Sequence, residues 1–106
     1  MILIVTYDLK GPAGEYTDFY EALKQQGSWW HYLRSTWLIS TGKNPNEVFK
    51  EIKPYLGLKD RVLIAEMGDT YNGWLPKSAW EWVHKQKSKQ GVFSGLEDSE
   101  HFRQSL

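Results

Sequence analysis

The chain has no cysteine among its 106 residues. Neither a disulfide nor a thiol nucleophile is therefore available, and a cysteine-based zinc site is excluded. An excess of charge of one sign is also missing, because 13 basic residues balance 13 acidic ones. A neutral chain has no general electrostatic attraction to nucleic acid, although it can still carry a local basic patch.

Long apolar runs are missing as well. The first apolar run, residues 2–5, lacks the basic flank and the length of a signal peptide. No segment approaches the roughly 20 apolar residues that a membrane span needs. We therefore expect a cytoplasmic protein with no membrane association.

Aromatic residues are abundant instead, at 15% of the chain. A chain of this length suggests one domain with a single core. Such a small core cannot easily enclose six Trp, six Tyr and four Phe. Some aromatic surface is therefore expected to contact a partner or a second subunit. The densest stretch is residues 28–41, which contains Trp29, Trp30 and Trp37.

Hydrophobic periodicity predicts the order strand, helix, two strands, helix, strand. The predicted elements are a strand over residues 2–7 that ends at Asp8, a helix from Glu15 to Gly27, strands over 28–33 and 36–41, a helix capped by Asn44 and ended by Gly57, and a strand over Arg61–Met67. Residues 36–41 are either a second strand after Arg34-Ser35 or a bulged continuation of the first, and two short strands are favoured.

Helical spacing predicts which side chains each helix buries. The first helix would bury Tyr16, Phe19, Tyr20 and Leu23, and the second Val48, Phe49, Ile52, Tyr55 and Leu56. Asn44, Pro45 and Glu47 have the spacing of a capped helix N-terminus. Gly27 is expected to end the first helix as a C-terminal glycine commonly does.

The predicted fold is α+β, a ferredoxin-like βαββαβ sandwich with a C-terminal helix and tail. Two helices would cover one face of a four-stranded antiparallel sheet, and the C-terminal segment or a second copy would cover the other. Residues 1–87 would form the domain, with a short extra strand at Trp74-Leu75 and a third helix over 79–87. Residues 88–106 are predicted to be a weakly ordered tail or a dimer arm.

The chain resembles the small SinR-like proteins over about residues 2–86. The resemblance rests on Tyr7-Asp8 at the end of the first strand and, most specifically, on residues 27–37, GSWWHYLRSTW. SinR-like proteins are similar in turn to VapD-type ribonucleases and to the small ferredoxin-like subunit of the CRISPR adaptation complex. The resemblance implies a ferredoxin-like fold and a homodimer formed through the sheets.

The resemblance also implies a role for Asp8. In the CRISPR subunit and its nuclease relatives, the aspartate that ends the first strand lies near the dimer axis and is proposed to bind a divalent metal. Asp8 is therefore the candidate catalytic and metal-binding residue, with Mg²⁺ as the ion if the protein is a nuclease. The alternative is a turn residue whose carboxylate binds loop amides.

Three further residues are candidates for the site. His31 is either a general acid or base or a packed histidine with one hydrogen bond. Arg34 and Ser35, at the junction of the two middle strands, either bind a nucleic-acid phosphate or form a solvated surface turn.

Two functions are consistent with these residues. The first is a non-catalytic homodimeric interaction or accessory module of SinR-like type, with no certain cofactor. The second is a metal-dependent endoribonuclease, or a dimer that binds RNA or DNA, with Asp8 at the dimer axis. The neutral charge and the single acidic candidate favour the first, and whether the protein is an enzyme stays open.

Overall fold

The computed structural model describes residues 1–90, and these form an α+β structure whose elements follow the predicted order. The elements are β1 (Ile2–Asp8), a 3₁₀ helix (Ala13–Tyr16), α1 (Thr17–Lys24), β2 (Ser28–Leu33), β3 (Thr36–Ser40), α2 (Pro45–Ile52), a 3₁₀ helix (Lys53–Tyr55), β4 (Arg61–Met67) and α3 (Lys77–Gln90). Two separate strands flank Arg34-Ser35, so the favoured interpretation of residues 28–41 is confirmed.

The four strands form one antiparallel sheet in the order β2-β3-β1-β4. β1 and β3 are the central pair, with Val5 opposite Trp37. β2 pairs with β3 through an irregular register between Trp30 and Leu33. β2 and β4 therefore form the two edges of the sheet.

The core lies between one face of this sheet and the helices α1 and α2. Residues two apart on a strand share a face, so alternate residues of β1 and β3 point into it. Its fully buried members are Leu3, Val5, Phe19, Leu23, Ile39, Val48 and Ile52. On the opposite face of the sheet, Ile2, Trp30 and Leu38 are also buried in the single chain.

The end of the first helix differs from the prediction. α1 ends at Lys24, and none of the described glycines has a positive φ, so Gly27 is not a left-handed C-cap. A side chain at position 27 would instead overlap the backbone carbonyl oxygen of Ser40. Glycine is needed here because β2 enters the sheet in close contact with the end of β3.

The predicted capping of α2 is confirmed. The Asn44 side chain accepts a hydrogen bond from the Glu47 amide at 2.9 Å, and the Glu47 carboxylate accepts one from the Asn44 amide at 3.1 Å. The α-helical geometry ends at Ile52, and a 3₁₀ turn continues through Pro54 because proline disrupts the α-helical bond pattern.

The predicted buried stripe of α2 is only partly correct. Val48 and Ile52 are fully buried, whereas Phe49 and Tyr55 are exposed. The helical periodicity placed all of them on one broad face, but the neighbouring sheet and α1 cover only the centre of that stripe.

A second compact unit begins at Met67, after a first unit that comprises Met1–Glu66. Trp74-Leu75 form no strand, contrary to the prediction. α3 runs from Lys77 to Gln90 and so extends beyond the predicted end of the third helix. The rest of the predicted tail, residues 91–106, lies outside the described residues. No helix within residues 1–90 combines the length and the apolar character that a membrane crossing needs.

Candidate functional site

The turn between β2 and β3 is held against the end of β1. The Ser35 carbonyl accepts hydrogen bonds from the Tyr7 amide at 3.1 Å and from the Thr6 hydroxyl at 3.3 Å. The Thr36 hydroxyl in turn donates to the Thr6 hydroxyl at 3.2 Å. These bonds bring Arg34-Ser35 to the end of the sheet where β1 finishes.

A surface depression of about 410 Å³ lies at this end of the sheet. Asp8, Arg34 and Ser35 all line it, together with the side chains of Tyr16 and Tyr20. The structure therefore brings together three of the four residues that the sequence singled out. Tyr16 and Tyr20, which the sequence suggested only as core residues, contribute aromatic surface to the same depression.

The Asp8 carboxylate is exposed and is paired with the Lys10 ammonium at 2.7 Å. No group of three His, Cys, Asp or Glu side chains within residues 1–90 is arranged to hold a metal ion. A single carboxylate with a cation beside it does not fit a divalent metal, which prefers several oxygen ligands. One subunit therefore does not form a metal site around Asp8.

The loop amides that Asp8 was alternatively expected to bind are bound by Asp60. The Asp60 carboxylate accepts hydrogen bonds from the amides of Lys10 at 2.8 Å and Gly57 at 2.7 Å, and from the Tyr16 hydroxyl at 2.7 Å. The Lys10 and Gly57 amides and the Tyr16 hydroxyl hold the pKa of Asp60 below its ordinary value. The same bond to Asp60 raises the pKa of Tyr16.

Sequence reasoning missed this Asp60 cluster, which fixes the loop that follows Asp8. The local signal was weak, because an aspartate three residues after Gly57 marks only a turn. Its partners Lys10 and Tyr16 lie 50 and 44 positions away in the chain. Spacing along the sequence cannot reveal contacts of that length.

His31 is a packed residue on β2, on the same face as Trp37. Its ring stacks on the Trp37 indole with centroids 4.3 Å apart and an angle of 14° between the planes. Its Nε2 atom lies 3.4 Å from the Arg34 carbonyl oxygen. His31 is not among the side chains that line the depression with Asp8. This environment matches the packed alternative.

A series of contacting rings connects the core to the depression. The Trp37 indole N–H donates to the Tyr7 hydroxyl at 3.0 Å, and the Tyr7 ring lies against the Tyr20 ring with centroids 6.2 Å apart. Burial, with a smaller contribution from Tyr20, raises the pKa of Tyr7 to about 12, while the bond from Trp37 acts in the opposite direction. Tyr7 is therefore neutral at physiological pH, and its ring packs beside that of Tyr20.

The edge strand β2 carries the largest exposed apolar side chains of the sheet apart from Leu63 on β4. Trp29 is 41% exposed, Tyr32 77% and Leu33 43%. β2 contains no charged residue and no proline. An uncharged edge strand with exposed rings is a surface that favours pairing with another chain.

No protein-family model matches the chain, and no curated protein matches it significantly. The likeness to SinR-like proteins therefore stays a prediction from the residues that carry it. The function is inferred from the geometry of the edge strand β2 and of the depression beside Asp8.

Proposed function

We propose that this protein is a non-catalytic homodimeric interaction module of SinR-like type with a ferredoxin-like arrangement. The strand order β2-β3-β1-β4 supports the arrangement, since a βαββαβ chain with two crossover helices places its first and third strands at the centre. The observation that carries the function is the uncharged, aromatic edge strand β2.

The edge strands β2 and β4 differ in the features that prevent an edge strand from pairing with another chain. β4 has Arg61 and Glu66 near its two ends, and charged residues on an edge discourage association. β2 has only an irregular register between Trp30 and Leu33, which bends the strand. β2 is therefore the edge that another strand would join at lower cost.

A second copy of the chain suits this edge. A two-fold dimer places the same surface on both subunits, so each β2 would face another β2 in antiparallel orientation. Opposed like charges destabilise a strand pair, and β2 contributes none. Trp29 and Tyr32 would then pack across the interface, where aromatic pairs stabilise adjacent strands.

This interface separates the two copies of Asp8. β1 lies two strands away from the edge β2, so the two β1 strands would be five strand spacings apart. At about 4.8 Å per spacing, the distance is about 24 Å. Two carboxylates that far apart cannot share one metal ion. A β2-edge dimer therefore supports a non-catalytic module.

The second candidate is a Mg²⁺-dependent endoribonuclease, or a dimer that binds RNA or DNA. The depression that joins Asp8, Arg34 and Ser35 favours it, because a guanidinium and a hydroxyl can bind a phosphate. This candidate requires a different dimer, in which the two Asp8 carboxylates approach each other. His31, stacked on Trp37, would not contribute to it without leaving that contact.

The dimer is tested with one substitution on each edge. Tyr32→Lys places a charge on β2, and Leu63→Lys places the same charge on an exposed site of β4. We expect wild type and Leu63→Lys to have the mass of a dimer by light scattering at micromolar concentration, and Tyr32→Lys to be a monomer. Circular dichroism confirms that each variant is folded.

A wild-type monomer at these concentrations would rule out the proposed module. A dimer that Leu63→Lys dissociates and Tyr32→Lys does not would place the interface at β4 instead.

The nuclease candidate is tested with wild type and Asp8→Ala on RNA and DNA in Mg²⁺ or Mn²⁺. Asp18→Ala is the matched control, since Asp18 is also an exposed carboxylate and lies on α1. Cleavage by wild type and Asp18→Ala that Asp8→Ala lacks would support the nuclease. Absence of cleavage and of salt-dependent binding by wild type would remove it.

A further inference from the structure

We propose that the depression lined by Asp8, Tyr16, Tyr20, Arg34 and Ser35 binds a small ligand in which a phosphate is attached to a flat ring, as in a nucleoside monophosphate. The site lies within one subunit and so does not depend on the dimer. It also requires no metal and no catalytic step.

Arg34 is the cationic side chain among the residues that line the depression. The Asp8 carboxylate and the Lys10 ammonium neutralise each other through their 2.7 Å contact. Within residues 1–90, no acidic side chain bonds the Arg34 guanidinium. A guanidinium presents paired N–H donors that match two phosphate oxygens. Arg34 is therefore a cation of the depression whose guanidinium is not paired with an acidic side chain.

Two hydroxyl groups supply further donors. Apart from its contact with Tyr7, the Tyr20 hydroxyl forms no hydrogen bond within residues 1–90. The Ser35 hydroxyl likewise bonds no described residue, because only the Ser35 backbone takes part in anchoring the turn. Arg34, Ser35 and Tyr20 thus offer three uncommitted donor groups to one depression, which is the chemistry that an oxyanion needs.

The same depression offers ring surface and adequate size. The Tyr16 side chain is buried and fixed by Asp60, and the Tyr20 ring packs beside Tyr7 and stacks at 6.3 Å on Trp37. A volume of about 410 Å³ falls within the range of small-molecule sites. Rings with fixed positions can contact a flat ligand without losing further side-chain entropy.

The donors are also positioned before any ligand binds. The Ser35 carbonyl is anchored to β1 by two hydrogen bonds, so the Arg34-Ser35 turn is held in place. The opposite wall is fixed because the Tyr16 hydroxyl accepts a bond from the Gly11 amide at 2.9 Å and donates one to Asp60. A binding site with fixed walls gains affinity because less ordering is needed on binding.

The first test titrates the full chain with the four ribonucleoside monophosphates, the matching nucleosides and inorganic phosphate. Amide chemical shifts in two-dimensional NMR report the position of binding. We expect at least one monophosphate to shift the amides of Tyr20, Arg34 and Ser35, and to bind about tenfold or more tightly than its nucleoside. No shift at these amides, or equal binding of nucleoside and monophosphate, would overturn the proposal.

The second test uses variants of the donors. Arg34→Ala is expected to weaken monophosphate binding about tenfold or more, because hydrogen bonds to charged groups are the strong ones. Arg34→Lys should restore part of the loss, and Tyr20→Phe should weaken binding about threefold to tenfold. Arg61→Ala is the control, since Arg61 lies on the other side of Asp8 and does not line this depression.

Unchanged affinity in Arg34→Ala, or an equal loss in Arg61→Ala, would contradict the proposed role of Arg34 in binding the phosphate.

The third test compares a free monophosphate with 5′-phosphorylated and unphosphorylated oligonucleotides. If both oligonucleotides bind tightly and with salt dependence, and no monophosphate binds, the depression recognises a nucleic-acid phosphate backbone. That outcome would overturn the small-ligand site. None of these binding measurements depends on whether the protein is a monomer or a dimer, so their failure leaves the proposed dimer unaffected.

Discussion

The Trp37 indole nitrogen donates a hydrogen bond to the Tyr7 hydroxyl at 3.0 Å across the two central strands of the sheet. Both side chains are buried, so the hydrogen bond is shielded from water. The Tyr7 ring also meets Phe19 edge to face, with centroids 5.3 Å apart. The Tyr7 side chain therefore joins β1, β3 and α1 in the core, through its hydroxyl to Trp37 and its ring to Phe19.

Tyr7→Phe removes the acceptor and leaves the Trp37 N–H buried without a partner. We expect the free energy of unfolding to fall by about 1–3 kcal/mol, the cost of an unsatisfied buried donor. Urea denaturation followed by circular dichroism measures the change. Tyr55→Phe is the control, because Tyr55 is exposed, and it should change the stability by less than about 0.5 kcal/mol.

The raised pKa of Tyr7 predicts a loss of stability at high pH. Burial raises this pKa from 10.0 to about 12, so the folded state holds the proton more tightly than the unfolded state. The stabilisation is fully present below pH 10 and is lost as the pH rises towards 12. Urea midpoints measured between these pH values should fall in wild type and should fall less in Tyr7→Phe.

Gly27→Ala tests the close contact between the start of β2 and the end of β3. The new methyl group would overlap the Ser40 carbonyl oxygen, so the backbone must shift. We expect a loss of about 1–3 kcal/mol, typical of forced overpacking. Gly42→Ala is the matched control, since nothing lies within 4 Å of a side chain there. Equal stability of Gly27→Ala and Gly42→Ala would show that the backbone accommodates a methyl group beside the Ser40 carbonyl without loss of unfolding free energy.

The Asp60 cluster predicts sensitivity to acid. Hydrogen bonds to the carboxylate hold the pKa of Asp60 below its ordinary value of 3.8. The stabilisation is therefore present above that value and is lost as the pH falls through the lowered pKa. Asp60→Asn should lower the melting temperature at neutral pH and flatten its decline in acid. Glu66→Gln, at an exposed position of β4, serves as the control and should leave the acid dependence unchanged.

The capping box of α2 gives a local stability test. Asn44→Ala removes the acceptor of the Glu47 amide, and substitution of such a cap costs about 0.5–2 kcal/mol. Asn46→Ala, in the first turn of the same helix, keeps the cap and should have a much smaller effect. A similar loss in both variants would mean that residue composition, not the cap, stabilises the start of α2.

The local elements were predictable because their causes lie within a few residues of one another. The cap at Asn44 depends on Glu47, three residues later, and the turn at Arg34-Ser35 follows from the break between two aromatic runs. The continuous apolar run of residues 2–7 likewise predicts a buried central strand, and β1 is buried or partly buried at all of these positions.

The composition of the candidate site was only partly predictable. The resemblance implies the role of Asp8, and the strand junction suggests Arg34 and Ser35. The pairing of β1 with β3 brings all three to one depression. His31 was separated from them by its stacking on Trp37. Tyr20 was predicted as a core residue, and its place beside Arg34 follows only from how α1 packs on the sheet.

The sequence by itself determined the order of the helices and strands from β1 to β4, since helix caps, turns and hydrophobic periodicity act over a few residues. Only the tertiary structure decided that Gly27 is needed for the approach to Ser40, that Asp60 binds the loop amides after Asp8, and which rings are exposed. The physical reason is that these outcomes depend on contacts between distant segments, such as the 50 positions between Lys10 and Asp60. Those contacts exist only once the strands have paired.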